Sequence, residues 1–299
     1  MKKLSRGASL LVVLLVYVLA FFAGLLVYKL LSPPLLAFFL ADIAATLTVW
    51  AFGLLFRNAS LYDPYWSVAP PVLFVCFTLV SGRFDALSAF YLALFLIWGT
   101  RLTLNWALGW KSLAQQDWRY TQLHDDNPKL YFLTNLFGIN LVPTLFVFAA
   151  LVPAYLTTAE APGALNVLTF IGAAVCLGAP LLQLISDAQL RRFRLEPSHK
   201  GLSIGSGLWK YSRHPNYLGE VSFWWGAWLI QLSVLPALWW TAAGPVLMTT
   251  LFLFISIPMM EKRLLASRAD YADYRRRTSA LLLLPPRKLQ DSDTAADVV

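Results

Sequence analysis

The chain has 299 residues, of which 58% are hydrophobic and 15% aromatic, whereas only 13% are charged. A mean hydropathy of +0.60 excludes a soluble globular domain and is typical of a polytopic helical membrane protein. The net charge of +8 indicates basic loops at a membrane surface, not a nucleic-acid partner, because no basic element stands clear of an apolar segment.

Several stretches of the chain approach the length of about 20 apolar residues that a bilayer core requires of a helix. We predict spans at residues 8–31, 35–56, 68–80, 86–108, 131–156, 165–185, 217–230 and 237–259. The third and seventh stretches are short, so one of them is either re-entrant or continuous with a neighbour. The predicted fold class is an all-α transmembrane bundle of seven to eight spans.

The distribution of basic residues predicts the orientation of this bundle. With the N-terminus in the cytoplasm, the inside segments hold all of the 24 lysines and arginines except Lys29 and Arg83, as the positive-inside rule requires. Eight spans with both termini cytoplasmic is therefore the favoured topology of this integral membrane protein. Glu160 falls in a predicted outside loop at 157–163, where a solvated role is expected.

The ends and the cysteines carry little functional signal. The first apolar run is too long for the hydrophobic part of a signal peptide and no small-residue cleavage site follows it, so we expect it to remain as a helix. The polar residues 287–299 predict a disordered tail. Cys76 and Cys176 both fall inside predicted spans, so neither a disulfide nor a metal site is expected.

A loop with several glycines and the residues that precede it suggest two possible anion sites. The segment 201–207 is either a flexible turn or a place where backbone groups approach an anionic ligand. Asp187 and Arg191 lie four residues apart on one helical face and predict a helix-end ion pair. Alternatively, Arg191 and Arg194 present adjacent guanidinium groups to a phosphate-bearing cofactor.

Residues 207–220 form the most polar block of this apolar chain, at the point where the chain re-enters the membrane. Pro215 predicts the start of a helix. On that helix Asn216 and Glu220 lie four residues apart, so an amide and a carboxylate point into one pocket. Because ionisable groups at membrane depth are costly, we predict a ligand-binding role for this block.

The run Ser-Arg-His-Pro-Asn-Tyr-Leu-Gly-Glu stands at 212–220 and is preceded by Gly-Leu-Trp at 207–209. This run is similar to the signature of the steroid 5-alpha-reductase family, and in particular of its large bacterial branch, which implies a location in the bacterial inner membrane. Residues 186–194 and 261–280 resemble the adjoining and C-terminal segments, and the N-terminal half of the family is matched by Asp63, Trp66, Arg101 and 117–120. The resemblance divides the chain into N-terminal helices at 1–60, a reductase-like membrane domain at 61–286 and the tail.

The resemblance implies a cytoplasm-facing cavity that holds NADPH, with a steroid-like or other lipid substrate entering from the bilayer. The reaction would reduce a carbon–carbon double bond conjugated to a carbonyl. The residues implied for cofactor binding are Arg101, Gln183, Asp187, Arg191, Arg194, Arg213, His214, Asn216, Tyr217 and Glu220.

The proton donor is left open by the resemblance. The family's glutamate and tyrosine correspond here to Asp63 and Trp98, and an indole has no acidic hydroxyl. Asp63, Tyr65 and Tyr120 are therefore the three candidates for the catalytic acid. Arg-His-Pro at 213–215 is shared with isoprenylcysteine carboxyl methyltransferases, so an S-adenosylmethionine-dependent membrane methyltransferase is the alternative function. A set of tryptophans is instead interpreted as interfacial and packing residues: Trp224, Trp225, Trp228, Trp239 and Trp240.

Overall fold

A computed structural model describes residues 4–160 and 165–288, and about 80% of these residues are helical. The long helices are α1 (Arg6–Lys29), α2 (Pro34–Phe56), α3 (Tyr65–Ser81), α4 (Ala86–Gly109), α6 (Tyr131–Glu160), α7 (Val167–Leu195), α8 (Pro215–Val234) and α9 (Pro236–Ser267). Two short helices are α5 (Trp118–Asp126) and α10 (Tyr271–Arg277). The described residues contain an isolated β-bridge between Ser212 and Ser279 and no strand.

Within the described residues, seven helical segments are long and apolar enough to cross a membrane, which confirms the predicted all-α polytopic bundle. The third of them runs from Ala59 to Ser81 and so includes the turn that precedes α3. The eighth long helix, α8, is 20 residues long, and its polar residues Asn216, Glu220 and Gln231 reduce its hydropathy. Cys76 lies in α3 and Cys176 in α7, and both thiols are free.

Several predicted span ends are wrong because polar residues continue the helices. The helix α7 runs ten residues past the predicted end at 185, and the structure extends α6 through Glu160, so Thr157–Glu160 is helical and not a loop. Residues 161–164 and the predicted disordered tail from residue 289 onward lie outside the described residues. Hydropathy identifies only the part of a helix in contact with lipid, whereas backbone hydrogen bonding continues past it.

The helices α7 and α8 pack most extensively on each other, and small residues make their close approach possible. A Cβ atom on Gly172 would lie 2.8 Å from the carbonyl oxygen of Gly226, and one on Gly219 would lie 2.6 Å from Gln183 Cγ. Such pairs of small residues let membrane helices approach through their backbones. The contact at Gly219 sets Gln183 beside the adjacent Glu220.

A turn between α2 and α3 brings the Asp63 region against the segment that joins α4 to α5. Asn58 donates to the backbone carbonyl oxygens of Leu113 and Gln115, at 2.7 and 3.0 Å. The backbone N–H of Asp117 donates to Ser60 Oγ at 2.8 Å, and the Asp117 side chain caps α5. These bonds fix α5 against the start of α3, which places the Tyr120 side chain next to Asp63.

Candidate functional site

A cavity of about 470 Å³ lies among α3 to α9, which is within the usual size range of small-molecule sites. Its lining combines polar groups from α4, α7 and α8 with apolar groups from α6 and α9. The structure brings eight of the thirteen predicted site residues to this cavity: Asp63, Arg101, Tyr120, Gln183, Asp187, Asn216, Tyr217 and Glu220.

Glu220 is a deeply buried carboxyl group of the cavity, with 2% of the residue exposed. Its Oε2 atom accepts hydrogen bonds from Trp98 Nε1 at 3.0 Å and from Gln183 Nε2 at 2.8 Å. Its Oε1 atom accepts one from Trp224 Nε1 at 3.1 Å. Three N–H donors facing two oxygens match the ionised carboxylate, which accepts and does not donate.

Arg101 connects Glu220 to the polar end of the cavity. Its Nη1 donates to Gln183 Oε1 at 3.1 Å, and its Nη2 forms an ion pair with Asp187. Asn216 Nδ2 donates to the other Asp187 oxygen at 3.4 Å. The predicted ion pair of Asp187 with Arg191 is therefore replaced by one with Arg101, because α4 packs against this face of α7. Glu220, Gln183, Arg101, Asp187 and Asn216 form one continuous network.

A carboxyl–phenol pair lies in the same cavity. The hydroxyl of Tyr120 donates to Asp63 Oδ1 at 2.6 Å. Burial, and secondly the negative charge of Asp63, raises the pKa of the Tyr120 phenol well above its ordinary value of 10. The phenol therefore remains protonated at neutral pH and is a hydrogen-bond donor, not a phenolate.

Tyr65, the third candidate acid, does not line this cavity. Its ring faces α2, where its hydroxyl donates to Asp42 Oδ1 at 2.6 Å. The cavity is lined instead by Trp66 and Ser67, the next two residues of α3. Successive helical residues are about 100° apart, so Tyr65 and its neighbours reach different sides of α3.

Arg191 and Arg194 are exposed at the end of α7 and do not line the cavity. They follow Asp187 by four and seven residues, which corresponds to about 6 and 10 Å along a helix. The structure therefore places them beyond the mouth of the cavity and on the helix that supplies Asp187.

Arg213 and His214 also lie away from the cavity, and they bind the C-terminal segment. Arg213 Nε donates to Glu261 Oε1 at 2.7 Å, and His214 Nε2 lies 3.3 Å from the same oxygen. Arg213 also donates to the carbonyl oxygens of Arg275 and Thr278. Burial lowers the pKa of His214 below its ordinary value of 6.5, against the opposing effect of Glu261. These residues adjoin Asn216 in the sequence, but α8 begins at Pro215. Arg213 and His214 therefore precede the helix that carries Asn216 into the cavity.

The sequence did not identify two further parts of the site. The resemblance pairs Trp98 only with the family's tyrosine, and Trp224 is predicted to be an interfacial or packing residue, yet both are fully buried and donate to Glu220. Two π-helical turns, Thr134–Leu141 in α6 and Phe252–Ser256 in α9, also contribute cavity-lining residues. Such turns frequently occur at functional sites, but hydropathy carries no signal for them.

Comparisons with known proteins show the family of this chain and supply no activity. The chain belongs to the family described as "Protein of unknown function (DUF1295)", whose profile matches residues 49–278. An uncharacterised protein of Schizosaccharomyces pombe is 24% identical over 217 residues, which cover 64% of this chain and 61% of that protein. The chain thus matches less than two thirds of the length of that relative. No solved structure matches the chain significantly.

Proposed function

We propose that the protein is a membrane-embedded NADPH-dependent reductase of a carbon–carbon double bond conjugated to a carbonyl, in a steroid-like or other lipid. The observation that carries this proposal is the presence of two different polar systems in one cavity. The Asp63–Tyr120 pair provides an acidic donor, and the network from Arg101 to Asn216 provides charged and amide groups for a nucleotide. The family also includes steroid 5-alpha-reductase-like proteins.

Three polar side chains of the cavity suit a phosphate-bearing dinucleotide. The buried Nε of Arg101 has no hydrogen-bond partner within the described residues, so this guanidinium retains an unused donor. Asp187 and Asn216 offer an acceptor and a donor suited to ribose hydroxyls. The exposed Arg191 and Arg194 would bind the phosphates outside the cavity, where arginine matches phosphate geometry.

The protein's own residues would polarise the substrate carbonyl and hold the substrate beside the cofactor. When bound, NADPH supplies a hydride to the β carbon of the conjugated system. The carbonyl oxygen of the substrate gains negative charge at that moment and would accept a hydrogen bond from Tyr120. Asp63 holds the phenol in place through the 2.6 Å bond and can take part in the return of a proton to the α carbon.

The apolar part of the cavity suits a lipid substrate. Its apolar lining includes Leu102, Val147, Leu251, Phe252 and Ile255. Ile255 is also 47% exposed on the surface of α9, so this lining adjoins a lipid-facing surface. A hydrophobic substrate can thus reach the Asp63–Tyr120 pair from the bilayer, while the nucleotide approaches from the polar end.

The proposed orientation has both termini and the polar end of the cavity in the cytoplasm. The support is the charge pattern: the exposed Arg191, Arg192 and Arg194 follow the apolar part of α7 directly, and basic residues concentrate on the cytoplasmic side of a membrane protein. NADPH would then be taken from the cytoplasm.

The methyltransferase alternative has less support from the same geometry. It would use Arg213, His214 and Glu220 together with Glu261. The structure uses Arg213, His214 and Glu261 to bind one another and the C-terminal segment. Both oxygens of Glu220 are already occupied by three N–H donors.

Ligand-dependent thermal stability of the purified protein tests the proposal. A ligand that binds only the folded state raises the unfolding temperature by mass action. We expect NADPH to raise the unfolding temperature, and we expect Arg194→Ala to increase the NADPH concentration that a given rise requires. We also expect oxidation of NADPH when a lipid enone is added. Stabilisation by S-adenosylhomocysteine with no response to NADPH would reverse the choice between the two functions.

A further inference from the structure

A second cavity of about 620 Å³ lies among α1, α2 and α3, and its wall is almost wholly apolar. Most of it is built by residues 17–45, which precede the family-matched residues 49–278. We call it the N-terminal groove. A hydrogen-bonded wall separates it from the cavity described above: Tyr62 Oη lies 2.8 Å from Thr144 Oγ1, which lies 2.9 Å from Thr46 Oγ1.

One carboxyl group interrupts the apolar lining of the N-terminal groove. Asp42 is 4% exposed and lines the groove, and its Oδ1 accepts the hydrogen bond from Tyr65. Within residues 4–160 and 165–288, its Oδ2 accepts no hydrogen bond and no basic side chain forms an ion pair with Asp42. An aspartate inside a membrane span without a cation is costly, and such residues are functional by default.

The shape of the N-terminal groove is elongated, with this carboxyl at one end. Its lining on α3 extends from Tyr65 to Val80, which is about 22 Å along a helix. Tyr65 and Asp42 lie at one end, and Leu79 and Val80 lie at the other. Small side chains leave the space between the helices open, among them Ala20, Ala41 and Ala45.

We propose that the N-terminal groove binds an elongated lipid alcohol, with its hydroxyl on Asp42 and its apolar body along α3. A hydroxyl is both a donor and an acceptor, so it satisfies Asp42 whether the carboxyl is ionised or protonated. An anionic headgroup would be repelled by the ionised carboxyl. A zwitterionic headgroup is too polar for the apolar lining. The binding site is independent of the proposed reductase activity.

Saturable photolabelling of the intact protein in phosphatidylcholine nanodiscs tests this site. The probes are hexadecanol with a diazirine at the far end of the chain and the methyl ether of the same compound. We expect the alcohol to label the part of α3 around Cys76, and half-saturation to require about fivefold less alcohol than ether, the effect of one hydrogen bond. In Asp42→Leu the two probes should become equivalent.

Two further variants keep the result interpretable. Val72→Trp fills the middle of the groove and should reduce labelling by the alcohol even if Asp42→Leu fails to fold. Arg192→Ala, on the exposed end of α7, should leave labelling unchanged. Equal, non-saturating labelling by both probes in the unaltered protein would show that bilayer acyl chains fill the groove and would overturn the proposal. Labelling of the π-helical turn Phe252–Ser256 instead would place the alcohol in the other cavity and would also overturn it.

Discussion

Replacing Glu220 by glutamine tests the central contact of the proposed cofactor site. The carboxylate accepts from Trp98 and Gln183 through one oxygen and from Trp224 through the other. An amide has only one oxygen, so its NH2 group must face at least one N–H donor. The less costly orientation turns the NH2 group toward Trp224, which loses its acceptor while fully buried.

The expected effect of this change on the free energy of unfolding is a loss of about 1–3 kcal/mol, the cost of one buried unsatisfied donor. Rotation of the Gln183 amide does not relieve the conflict. Its Oε1 atom accepts from Arg101 Nη1 at 3.1 Å, and rotation would present an NH2 group to that guanidinium. The substitution also removes the negative charge of Glu220, which attracts the Arg101 guanidinium, so it should disturb the Arg101–Asp187 pair and weaken NADPH binding.

A double-mutant cycle with Trp224→Phe measures the effect. Phenylalanine removes the indole N–H, so the conflict with the new amide disappears. We expect the loss of stability in the Glu220→Gln, Trp224→Phe double variant to be smaller than the sum of the single losses by about 1 kcal/mol, measured by thermal or denaturant unfolding in one detergent. Strict additivity, or a Glu220→Gln variant as stable as the parent, would refute the assignment of three donors to a buried carboxylate.

Three further predictions address the remaining parts of the site. Asp63→Asn should lower the turnover of an enone substrate by about 10²- to 10⁴-fold, the range of general acid–base catalysis, with cofactor affinity intact; Asp85→Asn, which keeps the cap of α4, is the matched control. Arg194→Ala should weaken NADPH binding about tenfold and reduce its salt dependence, whereas Arg192→Ala, on another face of α7, should not. Because burial lowers the pKa of His214, the unfolded chain takes up a proton that the folded protein resists, so the unfolding temperature should fall as the pH decreases below about 6.5. A His214→Gln variant should show a flatter pH profile, and an unchanged profile would contradict the buried neutral histidine.

The fold could be predicted largely from composition, because lipid demands long apolar helices whose backbone groups are bonded internally. The predicted spans correspond to the observed helices, and Pro215 does begin α8. The errors are at the ends, as in α7, where the helix continues through Asp187 and the three arginines after the apolar run ends.

The candidate site could be predicted in part. Asn216 and Glu220 reach one cavity, as their helical spacing requires, and Gln183 and Asp187 do so one turn apart on α7. Tyr65 does not share the cavity with Asp63, although the two are close in sequence. The chain enters α3 between them, so their side chains point to different sides of the helix. Arg213 and His214 do not line the cavity, although they adjoin Asn216 in the chain, because they bind Glu261 from the distant α9.

The sequence by itself determined that this is a helical membrane protein and which segments hold its ionisable residues, because both properties follow from local hydrophobicity and spacing. Only the tertiary structure decided which of those residues share a cavity. The partners of Glu220, Asp187 and Asp63 are Trp98, Arg101 and Tyr120, each on another helix. Such pairs depend on how closely two helices approach and on which faces they present to each other. The spacing of residues along one helix does not encode the distance between helices.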